Sequence, residues 1–250
     1  MKKILNTLFV LFLLIGANSC TYVYYPNYPV IAEVKESSLG GQVTLGFSKA
    51  QISGWYAIDS NIFFTGTVSG ALSWLEENSL DTNNHNRPYK TFFAGAGVGY
   101  NAKFGEKGQL QLLGGGGFSQ GHLFTSLFNP NDINVFDAQD IDVQSARFYL
   151  QPSVGYGGKN GGFYFIPRLT YENFVKVEPS KPVSFSQPMV KKSYLFLDPF
   201  IMGRIKTNVI NIDIYGGVSF TLNSSKPSAG EEIIVTQPFT FGIGLSKTFD

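Results

Sequence analysis

The sequence predicts an all-β protein, an antiparallel up-and-down transmembrane β-barrel of about ten strands that follows a cleavable N-terminal signal. Three observations carry this. Apolar and polar residues alternate through most of the chain from residue 39 onward. The connections between alternating segments are short and long by turns. Charge is scarce where aromatics are not: each makes up 15% of the sequence, whereas a soluble domain carries about 25% charged residues. Much of such a surface is not built to meet water. No apolar run beyond the signal reaches the ~20 residues of a spanning helix, so a membrane location requires strands closed on themselves, with no edge left in lipid.

The chain opens Met1-Lys2-Lys3, runs apolar from Ile4 to Ile15 and then reads Gly16-Ala17-Asn18-Ser19-Cys20. A basic start, a short apolar stretch and small residues before a cleavage point make a secretory signal over residues 1–19. Cys20 is the only cysteine, and its place resembles the end of a lipobox, which marks it for lipidation. A lone cysteine excludes an intrachain disulfide and any cysteine-based metal site. Residues 20–38 read as a lipidated tether, because Pro26 and Pro29 would interrupt a strand ladder. Residues 39–250 are then the barrel.

Ten alternating segments are expected, roughly 39–48, 50–58, 60–72, 90–102, 108–119, 145–157, 161–174, 192–204, 208–221 and 237–249. In the last, Phe239, Phe241, Ile243 and Leu245 share one face, and Thr240, Gly242, Gly244 and Ser246 the other. Phe148, Leu150, Pro152, Val154 and Tyr156 alternate in the same way with Arg147, Tyr149, Gln151, Ser153 and Gly155. The connections near 59, 103–107, 158–160 and 205–207 are short, and those at 73–89, 120–144, 175–191 and 222–236 are long. Outer-membrane barrels have this asymmetry, with tight periplasmic turns and long external loops. A lipid on Cys20 is expected on the periplasmic side, with the short turns.

Alternation alone also suits a soluble barrel with an apolar lumen. Two details favour the membrane. The polar face is rich in Gly, Ser, Thr and Asn, which fits a crowded lumen. The apolar face ends in aromatics: Tyr100, Tyr156, Phe163 and Phe249 toward the short turns, and Trp74, Phe118, Tyr171 and Phe220 toward the long loops.

Further features are the Tyr24-Tyr25-Pro26-Asn27 stretch after Cys20, the Gln151-Pro152 and Asp198-Pro199 pairs and the closing run Pro238-Phe239-Thr240-Phe241-Gly242-Ile243-Gly244-Leu245. With these the mature length resembles the small outer-membrane β-barrel superfamily, and more narrowly the barrel lipoproteins of Bacteroidota. That resemblance implies an architecture and a location in a Gram-negative outer membrane, and no particular activity.

Centring the short turn near 159.5 sets Arg147 opposite Glu172 and Gln151 opposite Arg168, and centring the next loop near 183 sets Arg168 opposite Asp198. With Arg204 and Asp213 lower down, these form an inward polar girdle: a selectivity or ligand site, or a salt-bridge plug that fills a narrow lumen. Pro152, Pro167 and Pro199 line up with outward parity on three neighbouring strands. Without N–H groups they weaken the wall there, which points either to lateral access for a lipid or acyl chain, a device similar to that of lipid A palmitoyltransferases, or to locally absorbed strain.

Other function classes find little support. Near-neutral charge, formally +1, offers no field for nucleic acid. The two histidines, His85 and His122, fall in long loops near Asp81 and the Asp132–Asp142 acidic run, without the spacing of an omptin-like rim protease or a calcium loop. Gly114–Gly117 lies within a strand with no helix after it and is no phosphate cradle. The loop from Gly121 to Ser145, with Leu123, Phe124, Leu127, Phe128 and Phe136, is expected to fold over the mouth or dock on a partner. The expectation is therefore a lipid-anchored outer-membrane barrel with a closed or narrow lumen, needing no cofactor or metal and assigned no catalytic residue. Its role would be structural or the binding of a small or lipidic ligand. A lipid-acting enzyme, a rim protease and a narrow transport pore are the alternatives.

Overall fold

The computed structural model describes residues 22–24, 26–46, 49–72, 90–128, 136–179, 193–223, 235–236 and 239–249. Cys20 and the signal lie outside them, as do Trp74, Asp81, His85 and Asp132. The described strands are β1 (Tyr22–Tyr24), β2 (Leu39–Gly46), β3 (Lys49–Ala57), β4 (Ile62–Leu72), β5 (Lys90–Phe104), β6 (Gly108–Phe128), β7 (Phe136–Gly157), β8 (Gly161–Pro179), β9 (Ser193–Lys206), β10 (Asn211–Val218), β11 (Phe220–Thr221), β12 (Val235–Thr236) and β13 (Phe239–Phe249).

Strands β2 to β10 and β13 form one antiparallel sheet in which each pairs with its neighbour in the chain, β13 pairs with both β10 and β2, and the sheet closes. This is a ten-stranded up-and-down barrel, with β11 prolonging β10 along β9. Its short connections, 58–61, 105–107, 158–160 and 207–210, lie at one end. They are built from turn chemistry: Gly105 takes a left-handed φ of 57°, and Asp59 accepts the N–H groups of Asn61 at 2.6 Å and Ile62 at 2.7 Å. Those two bonds, Ile62 first, hold the Asp59 carboxyl below its usual pKa.

Burial alternates along every wall strand, and the sense is that of a membrane barrel. Val43, Leu45, Ile52, Phe64, Val98, Leu112, Leu150, Phe165, Ile201, Ile243 and Leu245 point outward and are exposed. At the short-turn end Tyr100, Tyr156, Phe163 and Phe249 are exposed, and toward the other end Phe118, Tyr171 and Phe220. A continuous apolar belt rimmed by aromatic rings is far beyond the patch that a water-soluble monomer shows.

Two expectations are corrected. The loop expected between Gly121 and Ser145 is largely strand: β6 and β7 stay paired from His122↔Asp142 to Phe128↔Phe136 and stand above their neighbours, since β5 begins at Lys90 opposite His122. Backbone hydrogen bonding along a two-strand ribbon satisfies those peptide groups better than a fold-over would.

The second correction is larger. The stretch expected to be a lipidated tether runs, over residues 26–34, through the barrel. Residues 26–32 are buried without exception, and Ile31 and Ala32 are fully so. Extended chain alternates its side chains, and from Val30 on this one does: Val30, Ala32 and Val34 pack on Trp55, Ala57, Phe63 and Leu113 of one wall, whereas Ile31 belongs to a cluster with Tyr164, Ile166, Phe200, Met202 and Tyr215 of the other, which Tyr28 also joins. The lumen is thus the hydrophobic core. Two strands' worth of perimeter beyond the eight-stranded size, whose interior side chains alone fill, makes room for one extended chain.

A barrel closed on itself resists detergent. Unboiled protein should migrate faster than boiled protein on a denaturing gel, and a single unchanged band would contradict closure.

Candidate functional site: the threaded lumen

The segment enters at the long-loop end and descends. There the Tyr24 ring stacks on Phe196 at 3.9 Å, lies 4.8 Å from the Arg147 guanidinium and donates its hydroxyl to Asp198 at 2.6 Å. Below it, the backbone carbonyls meet wall side chains in order. Lys49 Nζ reaches the Pro26 carbonyl at 3.3 Å and also bonds the Asn27 side chain. Arg168 donates to the Asn27 carbonyl at 2.6 Å. Gln51 donates to the Tyr28 carbonyl and accepts the Tyr28 N–H, both at 2.8 Å. Gln151 donates to Val30 at 2.9 Å, Arg204 to Ile31 at 3.1 Å and Gln111 to Ala32 at 2.6 Å. At the bottom, Lys206 bridges to Glu33 at 2.8 Å. The chain then reverses through a turn in which the Ser38 hydroxyl donates to the Lys35 carbonyl at 2.8 Å and Ser37 adopts a φ of 56°, and β2 begins.

All seven girdle residues, Arg147, Gln151, Arg168, Glu172, Asp198, Arg204 and Asp213, are buried in the lumen. Their partners are partly those of the register and partly those of the segment. Arg147 faces Glu172 across the ladder and bonds it at 2.5 Å, and Ser145 adds a hydroxyl to the same carboxylate. Arg204 bonds Asp213 at 2.6 Å and 3.0 Å, with Ser246 on the same acid at 2.8 Å. Arg168 sits opposite Asp198 in the ladder, yet its guanidinium turns to Gln151, at 2.5 Å and 3.2 Å, and to Asn27. Asp198 takes three hydroxyls instead, from Tyr24, Thr170 at 2.9 Å and Ser219.

Lys49, Gln51, Gln111, Tyr24 and residues 26–34 belong to this site and were not among its expected members. A readable signal existed. The run from Tyr22 to Val34 is mostly Tyr, Val, Ile, Ala and Pro, too apolar for a solvated linker.

Pro152, Pro167 and Pro199 stand together on the outer wall: Leu112 faces Pro152 and Pro167 faces Pro199. Between β7 and β8 the ladder lapses there, with pairing recorded at Leu150↔Leu169 and resuming at Val154↔Phe165. Behind the lapse lie Gln151, Arg168 and the threaded segment. At the long-loop rim His122 Nδ1 is 2.8 Å from an Asp142 carboxylate oxygen, both side chains being substantially exposed. Among the described residues no group of three or more His, Cys, Asp or Glu is placed to hold a metal ion.

The class these features define is an outer-membrane-type β-barrel closed around a segment of its own chain. Among solved structures the chain is similar in fold to the translocator domain of the autotransporter NalP from Neisseria meningitidis, with a TM-score of 0.48 and 12% identity over 85% of this chain and 87% of that one. No family model matches the chain, and no curated protein does.

Removing one partner of a buried pair strands the other charge, at about 3–5 kcal/mol. Arg204→Met, which isolates Asp213, should therefore lower the temperature at which the folded gel band converts markedly more than Gln151→Ala, which loses carbonyl and guanidinium contacts worth about 1–3 kcal/mol. Equal effects would contradict this ranking.

Proposed function

We propose that the protein is a lipid-anchored outer-membrane barrel held shut by its own N-terminal segment, with a structural role in the envelope rather than passage of solute. The observation that carries this is the sequence of wall donors, Lys49, Arg168, Gln51, Gln151, Arg204 and Gln111, each spent on a carbonyl between Pro26 and Ala32. Such a lumen is filled by one particular occupant. The exposed apolar belt supports the membrane location, and the signal ending at Cys20 supports the lipid.

In planar bilayers the intact protein should give no steady conductance, and deletion of residues 22–34 should open a channel. The exposed lining would hold four cations, Lys49, Arg147, Arg168 and Arg204, against three carboxylates, Glu172, Asp198 and Asp213, so that channel should prefer anions. A Gly242→Leu variant should leak as well, because a side chain there meets the Tyr28 ring. Steady conductance of the intact protein would refute the shut barrel.

A second reading, entry of an acyl chain from the side, is favoured by one observation, the lapse of the β7–β8 ladder at Pro152 and Pro167. It requires amide exchange at Ser153 and Arg168 to be faster than at Tyr149 and Thr170. Uniform protection along both strands would remove it.

A further inference from the structure

The direction of the threaded segment fixes which face of the membrane the chain's N-terminal end meets. At its lower end, the Ser38 carbonyl accepts the N–H of Ala57 at 2.8 Å, and Ala57 closes β3 just before the short connection 58–61. Glu33 is tied to Lys206, the last residue of β9 before another short connection. Gln111, which holds Ala32, is the fourth residue of β6 after the short 105–107 turn. At its upper end the partners change. Tyr24 contacts Phe196 and Asp198, near the start of β9, where the chain has just come from the 180–192 connection. Strand β1 pairs in parallel with β12, Tyr22 opposite Val235, directly ahead of β13. The contacts therefore run in one order, and Tyr22 stands at the long-loop mouth while Ser38 stands at the short-turn end.

Cys20 precedes Tyr22 by two residues. Even fully extended, two residues reach about 7 Å, whereas the apolar band of a barrel is ~25 Å tall. A chain leaving Tyr22 cannot return to the short-turn face within that span. We infer that the N-terminal end of the mature chain is presented on the long-loop face, opposite to the short turns, so that a lipid on Cys20 would sit in the outer leaflet. This departs from the expectation in which lipid and short turns share the periplasmic side. It rests on the outer-membrane and signal readings above for which face is external and where the mature chain starts, and on chain direction for the rest.

The test uses the full chain in cells. One variant carries a short epitope between Cys20 and Thr21. A second is Glu36→Cys, at an exposed position in the reversal before β2, read with a membrane-impermeant thiol reagent. The faster unboiled band verifies folding of each, and should the insertion disturb it, Thr21→Cys reports the same end. The expected result is an epitope reached on intact cells and a Glu36→Cys thiol reached only after permeabilisation. Both reporters on one face would overturn the inference, whatever the barrel's orientation. The reverse pattern would overturn the outward placement while leaving the threading intact. Recovery in the soluble fraction would instead remove the membrane reading on which the assignment of faces rests.

Discussion

In a closed barrel most of the wall's backbone hydrogen bonds are already made. Outside the β7–β8 lapse each strand spends its N–H and C=O groups on two neighbours, so the backbone of a chain inside cannot join the ladder and is met by wall side chains. An extended chain in a dry lumen exposes a carbonyl at every residue, and leaving these unmet costs about 1–3 kcal/mol each. The wall answers with long donors at graded heights: lysine, arginine and glutamine reach where serine and threonine would not. The segment contributes from its own side. Pro26 and Pro29, which bar it from being a strand, also remove two N–H groups that would need acceptors. Tyr28, between them, has its N–H met by Gln51.

The same enclosure explains the glycines. Several inward positions are bare because a ring lies across them: Trp55 over Gly40, Phe63 over Gly99, Tyr149 over Gly115 and Tyr164 over Gly155. Tyr28 of the threaded segment fills the space above Gly46 and Gly242 on two adjacent strands. Within the Gly114–Gly117 run, Gly115 and Gly117 provide floor for Tyr149 and Phe93. Small residues on the wall and large rings in the lumen are two halves of one packing solution at interior density.

The outer half of this protein was legible in its sequence because the wall's outer face is set by the strands alone. Strict alternation, aromatic rims and turn centres gave strand number and register, down to Arg147 opposite Glu172. The inner half was less so. Periodicity tells which side chains leave the sheet inward and says nothing about what waits there. In β9, inward Tyr194, Phe196, Phe200 and Met202 break the rule of a small polar lumen, and they do so because an apolar segment faces them. Ladder register placed Arg168 by Asp198, but the segment's carbonyl and Tyr24 hydroxyl offered both groups better partners. The β6–β7 ribbon was hidden for another reason: Leu123-Phe124 and Leu127-Phe128 put apolar residues side by side, which erases the alternation by which a strand is recognised.

Whether the segment is a ligand of the barrel or part of it can be argued from charge. Among the described residues the buried wall carries four cations and three carboxylates. The segment brings Glu33, set between Lys206 at 2.8 Å and Arg204 at 3.6 Å. A removable ligand would leave behind a site content without it. Here removal would strip Arg204 of the Ile31 carbonyl and of Glu33, and Arg168 of the Asn27 carbonyl. Asp198 would lose the Tyr24 hydroxyl, and two apolar surfaces, around Trp55 and around Phe200, would face a cavity. Buried charges held by half their partners are a larger liability than an apolar void. Wall and segment satisfy each other in both polar and apolar terms, and the segment is therefore part of the barrel rather than a ligand of it.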